Sequence, residues 1–362
     1  MDDGMPGWRV IGRGPMTWFE RPSLSAGAEL AQRVAAAGVP AELDLRPTGV
    51  RVRVADAEAA RRVSAVAGAE GDPTGLQELR IVIDAVHPAR IQEFWAMALD
   101  DDPRLAIRPT TDIRPLRNRF HVDVVRPASI VEAARGDRTP TGPWGVMLAD
   151  DEGNELDLVP GDPLAPEAAD WHTLFAAMVF YPTTQAVELA TTVADLADLP
   201  LMIDLRPDGV LIHHGKDAWE QAGRQFVELA VQIQNAAHAL GLAADPARPR
   251  FVQIGIDAVD VPAIHAFWTT ALGYTPDPRW EAGDSFDPRG AGPGLIFQQM
   301  QANDVDRRAQ RNRIRIELGI PHDQLAARVE QAVAAGGQLS ADRRTVIDPE
   351  GNELVFSPAF PQ

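Results

Sequence analysis

"DPEGNELVFSP" at 348–358 decides how this chain is read, because "DDEGNELDLVP" already stands at 150–160. In both copies a Gly-Asn pair, suited to a turn that needs positive φ, leads into a run of alternating apolar residues. Working outward, three further anchors recur in the same order. "DLRPTGVRV" at 44–52 returns as "DLRPDGVLI" at 204–212. "IDAVHPARIQEFWAMAL" at 83–99 returns as "IDAVDVPAIHAFWTTAL" at 256–272. "NRFHVDV" at 118–124 returns as "NRIRIEL" at 312–318. The chain therefore reads as a tandem duplication of a two-part unit.

Four modules follow: 16–70, 76–162, 171–243 and 250–360. The first and third each carry an amphipathic run followed by an alternating strand pair with a Pro/Gly turn. The third adds a long helix in which Phe226, Leu229, Ile233 and Ala237 recur at helical spacing. The second and fourth read as strand, helix, strands, then a second such passage ending in the EGNEL phrase. Between the first helix and the next anchor, the second module has only the short link 100–117, whereas the fourth has a longer one containing "GPGLIFQQM". The second module is thus expected to lack about two strands. Linkers rich in Pro, Ala and Asp separate the modules.

Bulk properties narrow the function. With 362 residues the chain can bury several cores, and 45% hydrophobic residues is ordinary for a globular protein. A net charge of −18 argues against nucleic acid and favours cationic small molecules. With no cysteine, thiolate chemistry and disulfides are excluded. No leader and no long apolar segment is seen, so no membrane partner and a cytoplasmic location are expected. Lys216 is the single lysine, which fits the codon bias of a GC-rich bacterium.

The fourth module resembles the glyoxalase-like modules of the vicinal oxygen chelate superfamily, through "IGIDAVDVPAIHAFWTTALGY" (254–274), "NRIRIELGI" (312–320), "VEQAVAAGGQ" (329–338) and "DPEGNELVF" (348–356). The second resembles it with the shortened link. The first and third are similar, more faintly, to pterin-4a-carbinolamine dehydratases, through "LDLRPTGVRVRV" (43–54), "IDLRPDGVLIHH" (203–214) and "FVELAVQI" (226–233). The fold class these resemblances imply is α+β: tandem glyoxalase-like βαβββ modules alternating with small α/β dehydratase-like modules.

Metal-using members of the first family keep a His on the first strand, a second ligand on the equivalent strand of the other half, and a Glu on the closing strand. Gln253, Arg315 and Val355 hold these places in the fourth module, and Arg80, His121 and Asp157 in the second. Arginine does not deprotonate into a ligand, and one His with one carboxylate is too few. No metal and no cofactor is expected. The dehydratase family's His-His-Pro segment is also missing: Val39-Pro40 and Leu199-Pro200 stand there, and His213 and His214 follow on the next strand, pointing to opposite faces.

The reading is metal-independent binding of an aromatic or cationic small molecule in a cup, drug sequestration included. Candidate ligand contacts are Gln253, Arg315, Trp280, Phe297, Gln299 and Trp268, with the cup completed within the chain or in a homodimer. The alternative is a metal-free lyase, isomerase or dehydratase-type enzyme using His121, Asp157, His213 or Glu317. A third reading is an interaction protein with an apolar surface over 100–117.

Overall fold

The computed structural model describes residues 5–100, 102–279 and 283–360. It is a mixed α+β structure that divides into two compact units. Unit 1 comprises Met1–Leu76, Val125–Val131 and Pro160–Phe251; unit 2 comprises Gln77–Val124, Glu132–Val159 and Val252–Gln362.

In unit 1 the strands run in the order Arg9–Ile11, Gly14–Glu20, Gly49–Arg53, Glu42–Arg46, Met202–Arg206, Gly209–Lys216, Ala176–Pro182, His172–Leu174. The repeats meet at an antiparallel pair that sets Asp44 opposite Asp204. Strand alternation sends Leu43, Leu45, Val50, Val52, Ile203 and Leu205 into one core with the helices Leu24–Ala36, Ala57–Ala67, Ala186–Leu196 and Arg224–Ala239. The other face carries the charges. Two facing carboxylates would repel, and arginines resolve this: Arg46 meets Asp204 at 2.7 Å and Arg206 meets Asp44 at 2.7 Å. Burial pushes the Asp44 carboxyl up, but Arg206, Arg51 and Arg46 override it and hold the group well below the usual carboxylate range.

His213 lies on this charged face. Burial lowers its imidazole to about 4, with Asp204 opposing and Arg46 reinforcing the shift. His214, on the opposite face, stacks on Phe226 with ring centroids 4.9 Å apart. The alternation expected for this pair is what the strand shows.

Unit 2 holds four strand–helix passes. Strand Glu78–Ala85 leads into helix Pro88–Leu99, and strand Phe251–Ala258 into helix Val261–Leu272; strands Phe120–Pro127 and Ile314–Gly319 open the other two. Glu78–Ala85 pairs in parallel with Leu105–Pro109, as Phe251–Ala258 does with Gly294–Gln299. Strands Thr275–Pro276 and Ser285–Phe286 come between the latter two in sequence and extend the sheet beyond Gly294–Gln299, and the shorter link of the first repeat has no counterpart to them among the described residues.

Each curved sheet of unit 2 draws on both repeats. One takes Glu155–Pro163 and Phe120–Pro127 from the first repeat and Phe251–Ala258 and Gly294–Gln299 from the second. The other takes Ile314–Gly319 and Glu353–Ser357 from the second and Glu78–Ala85 and Leu105–Pro109 from the first.

The twice-written phrase explains itself here. Asp348 accepts from Trp268 Nε1 at 2.9 Å, and Asp150 accepts from Trp95 Nε1 at 2.8 Å. Glu350 accepts from the amides of Val259 and Asp260 at the start of one helix; Glu152 does the same for Val86 and His87. Gly351 and Gly153 take φ of 90° and 77°, the left-handed turn that the Gly-Asn pair announced. Asn352 and Asn154 reach across the repeats. Arg119 Nε donates to Asn352 Oδ1 and Arg313 Nε to Asn154 Oδ1, each at 2.9 Å. The phrase is thus a structural clamp.

Candidate functional site

Alternation along Phe120–Pro127 places His121 and Asp123 on one face, and Gln253, Gly255 and Asp257 share a face of Phe251–Ala258. These faces meet. Gln253 Nε2 donates to Asp123 Oδ2 at 2.7 Å, and His121 Nε2 lies 3.4 Å from Asp123 Oδ1. A Cβ on Gly255 would overlap the His121 ring, so the glycine is what lets the imidazole lie across the neighbouring strand. Asp157 arrives from Glu155–Pro163. One donor atom each from His121, Asp123 and Asp157 lies within 4.8 Å of the others.

Electrostatically the cluster calls for a positive partner. Burial pushes the Asp157 carboxyl up, Asp123 beside it pushes it further, and His121 opposes. Gln253 is buried, and its Oε1 has no hydrogen-bond partner among the described residues. The amide oxygen, imidazole and two carboxylates form a hard-to-borderline donor set suited to a divalent cation. A buried acceptor without a donor, and a glycine that clears space for an imidazole, both fit such an ion. The residues therefore fit a divalent cation. The expectation that donors are too few counted them within each repeat. Sheet pairing instead pools Gln253 from one repeat with His121 and Asp157 from the other, and adds Asp123.

Above the cluster opens a cleft of about 340 Å³ lined by His121, Asp157, Arg117, Asp257, Gln298 and Trp144 among others. Two guanidinium groups on its wall are already engaged. Arg117 Nε meets Glu155 at 2.8 Å, and Arg307 pairs with Asp257.

The equivalent positions in the other sheet are occupied differently. Arg80 Nε donates to Glu317 Oε2 at 3.1 Å and Arg108 Nη1 meets Glu317 Oε1 at 2.9 Å. Arg315 pairs with Asp84 and lies 3.8 Å from Glu317. A guanidinium there supplies the positive charge that the His121 cluster lacks. Phe360 then covers Arg80, ring centroid to Cζ 4.1 Å.

The expected contacts separate accordingly. His121, Asp157 and Gln253 converge. Gln299 lines the same cleft, its amide donating to the Val259 carbonyl at 3.0 Å. Arg315 and Glu317 belong to the other sheet's ion pairs. Phe297 turns away from the cleft onto His265, centroids 5.0 Å apart. Trp268 is fully buried in the core against Phe120 and Phe267, so both aromatics are structural. Trp280 lies outside the described residues. Asp123, Gly255 and Trp144 were not anticipated. Asp123 stands two residues after His121 on a strand, which was signal enough. Over the link 100–117, Ile113 is 75% exposed, an isolated apolar side chain beside the 39% exposed Leu116.

Residues 253–356 match the family model described as a glyoxalase-like domain. This is the module the EGNEL, NRI and FW anchors announced. A similar solved structure is that of glyoxalase I from Zea mays, at 10% identity and a TM-score of 0.33, covering 77% of this chain and 92% of that one. No curated protein matches the sequence. Among the described residues no helix is long and apolar enough to cross a membrane.

Proposed function

We propose that the His121 cup is a small-molecule site organised by a divalent cation held by His121, Asp123, Asp157 and the Gln253 amide oxygen. The observation that carries this is the convergence of three ionisable donors within 4.8 Å beside an unpartnered buried amide oxygen. A cation bound there would act as a Lewis acid towards ligand oxygens. The protein's own groups do the rest. Arg117 and the Gln298 amide sit on the wall where they orient a ligand. In this reading unit 2 is a pair of glyoxalase-like modules sharing their sheets, and unit 1 a pair of dehydratase-like modules without that family's acid/base histidines.

The test is elemental analysis after dialysis against Mn²⁺, Fe²⁺ or Zn²⁺. Stoichiometric retention by the wild type, lost in His121→Ala and in Asp157→Asn, supports the reading; no retention defeats it.

A second reading is favoured by the Asp123–Gln253 hydrogen bond and the raised Asp157 pKa. The two carboxylates share a proton, His121 takes or gives one, and ligand binding is metal-independent. Retained ligand binding after exhaustive chelation distinguishes it from the first.

A further inference from the structure

Trp144 is 83% exposed, a large aromatic ring held in water at the rim of the His121 cleft. Its position is built. Thr141 and Met147 exchange backbone hydrogen bonds at 2.8 and 3.1 Å, closing the loop at its base. Gly142 and Gly145 take φ of 79° and 65°, and Gly145 N donates to Gly142 O at 3.2 Å across the tip. Two left-handed glycines flanking Pro143-Trp144 hold the indole out and over the cleft. At this exposure the indole contributes little to the core, so folding alone does not account for it.

The chemistry of the cleft points to what covers the ring. The wall carries four carboxylates (Glu155, Asp157, Asp257, Asp304) against two guanidinium groups (Arg117, Arg307). With a divalent cation balancing Asp157 and Asp123, the remaining wall is still net acidic by Asp304. Gln298 and Gln301, both exposed, offer amides that donate and accept. Met147 and Met300 add soft apolar surface beneath the rim. A planar anion would meet repulsion here, whereas a planar neutral or singly cationic ring gains stacking and cation–π attraction from the indole.

We infer that Trp144 is a ligand-stacking residue, and that the cleft takes a flat, neutral or cationic aromatic molecule against the indole. This rests on the His121 cleft being the binding site of the proposed function. The probe is proflavine, a planar cation, titrated into the full-length protein and followed by fluorescence polarisation, with fluorescein as the planar anion. Trp144→Ala is expected to weaken proflavine about tenfold, Trp144→Phe to restore most of the affinity, and fluorescein to bind more weakly than proflavine throughout. Cation retention measured alone is expected to be unchanged in Trp144→Ala, since Trp144 is not one of the donor residues. If the cation fails to bind while proflavine still depends on position 144, the proposed function falls and this inference stands. If the cation binds but Trp144→Ala takes up proflavine as well as the wild type, or the wild type does not bind it, this inference falls. It falls equally if Trp144→Ala changes only the oligomeric state in light scattering, which would make the indole a contact between copies.

Discussion

The His121 imidazole occupies the space that any side chain at position 255 would take. The two residues come from different repeats, and their fit makes the glycine part of the site. Gly255→Ala forces the ring aside or bends the sheet, at a cost of about 1–3 kcal/mol. Chemical denaturation is expected to show that loss together with weakened cation binding. Unchanged cation affinity in Gly255→Ala would mean that the ring's seat does not matter to the site.

Arg119 and Arg313 are expected to behave as twins. Each is buried and donates to an Asn and a Gly carbonyl of the other repeat's turn. Removing either deletes several largely buried hydrogen bonds at once, although Asn312 and Asn118 still donate to Asn352 and Asn154, and costs about 3 kcal/mol or more. Arg119→Ala and Arg313→Ala should therefore lower the unfolding midpoint to a similar extent. A large effect in one and none in the other contradicts the reciprocal clamp.

Arg315 separates the two cups. Arg315→Ala breaks its pair with the Asp84 carboxylate and should destabilise the protein modestly, because Arg114 still meets that buried charge at 3.2 Å. Cation retention at the His121 cluster should be untouched. Loss of the cation in this variant would move the site to the other sheet.

His213 sets an acid limit on stability. Its folded imidazole is lowered to about 4 while the unfolded one titrates at its ordinary value, near 6.5. Between these values the unfolded chain binds more protons, so this group's stabilising contribution is present above about 6.5 and is lost as pH falls towards 4. The charged groups facing it are Asp204, Arg46, Asp44 and Arg206. His213→Gln should flatten the dependence of unfolding free energy on pH between 6.5 and 4.5, by up to about one proton. Identical slopes in both proteins would count against a buried neutral imidazole.

What the sequence revealed and what it hid follow from range. The turn at Gly351-Asn352, the helix containing Phe267-Trp268 and the amphipathic helix through Phe226 are local, and turn chemistry or periodicity announces each. The recurrence of the four sequence anchors is equally plain. Which strand pairs with which is a long-range matter, however, and no local signal says that Phe251–Ala258 lies beside Phe120–Pro127. Counting donors within each repeat therefore separated Gln253 from His121 and Asp157. The same gap left the inner face of Gly294–Gln299 open, so Phe297 was placed in the cup although His265 covers it. Trp144 was legible in principle: a tryptophan between two glycines in "TGPWG" has no apolar periodicity to bury it.

Strands from both repeats are expected to assemble one cation-binding cup. Cobalt(II) titration followed by visible absorption tests it most directly, because the spectrum reports protein donors around the ion. One equivalent is expected to bind through nitrogen and oxygen donors, lost in His121→Ala from one repeat and weakened in Gln253→Ala from the other. Binding that survives both substitutions, or no specific spectrum in the wild type, would contradict it.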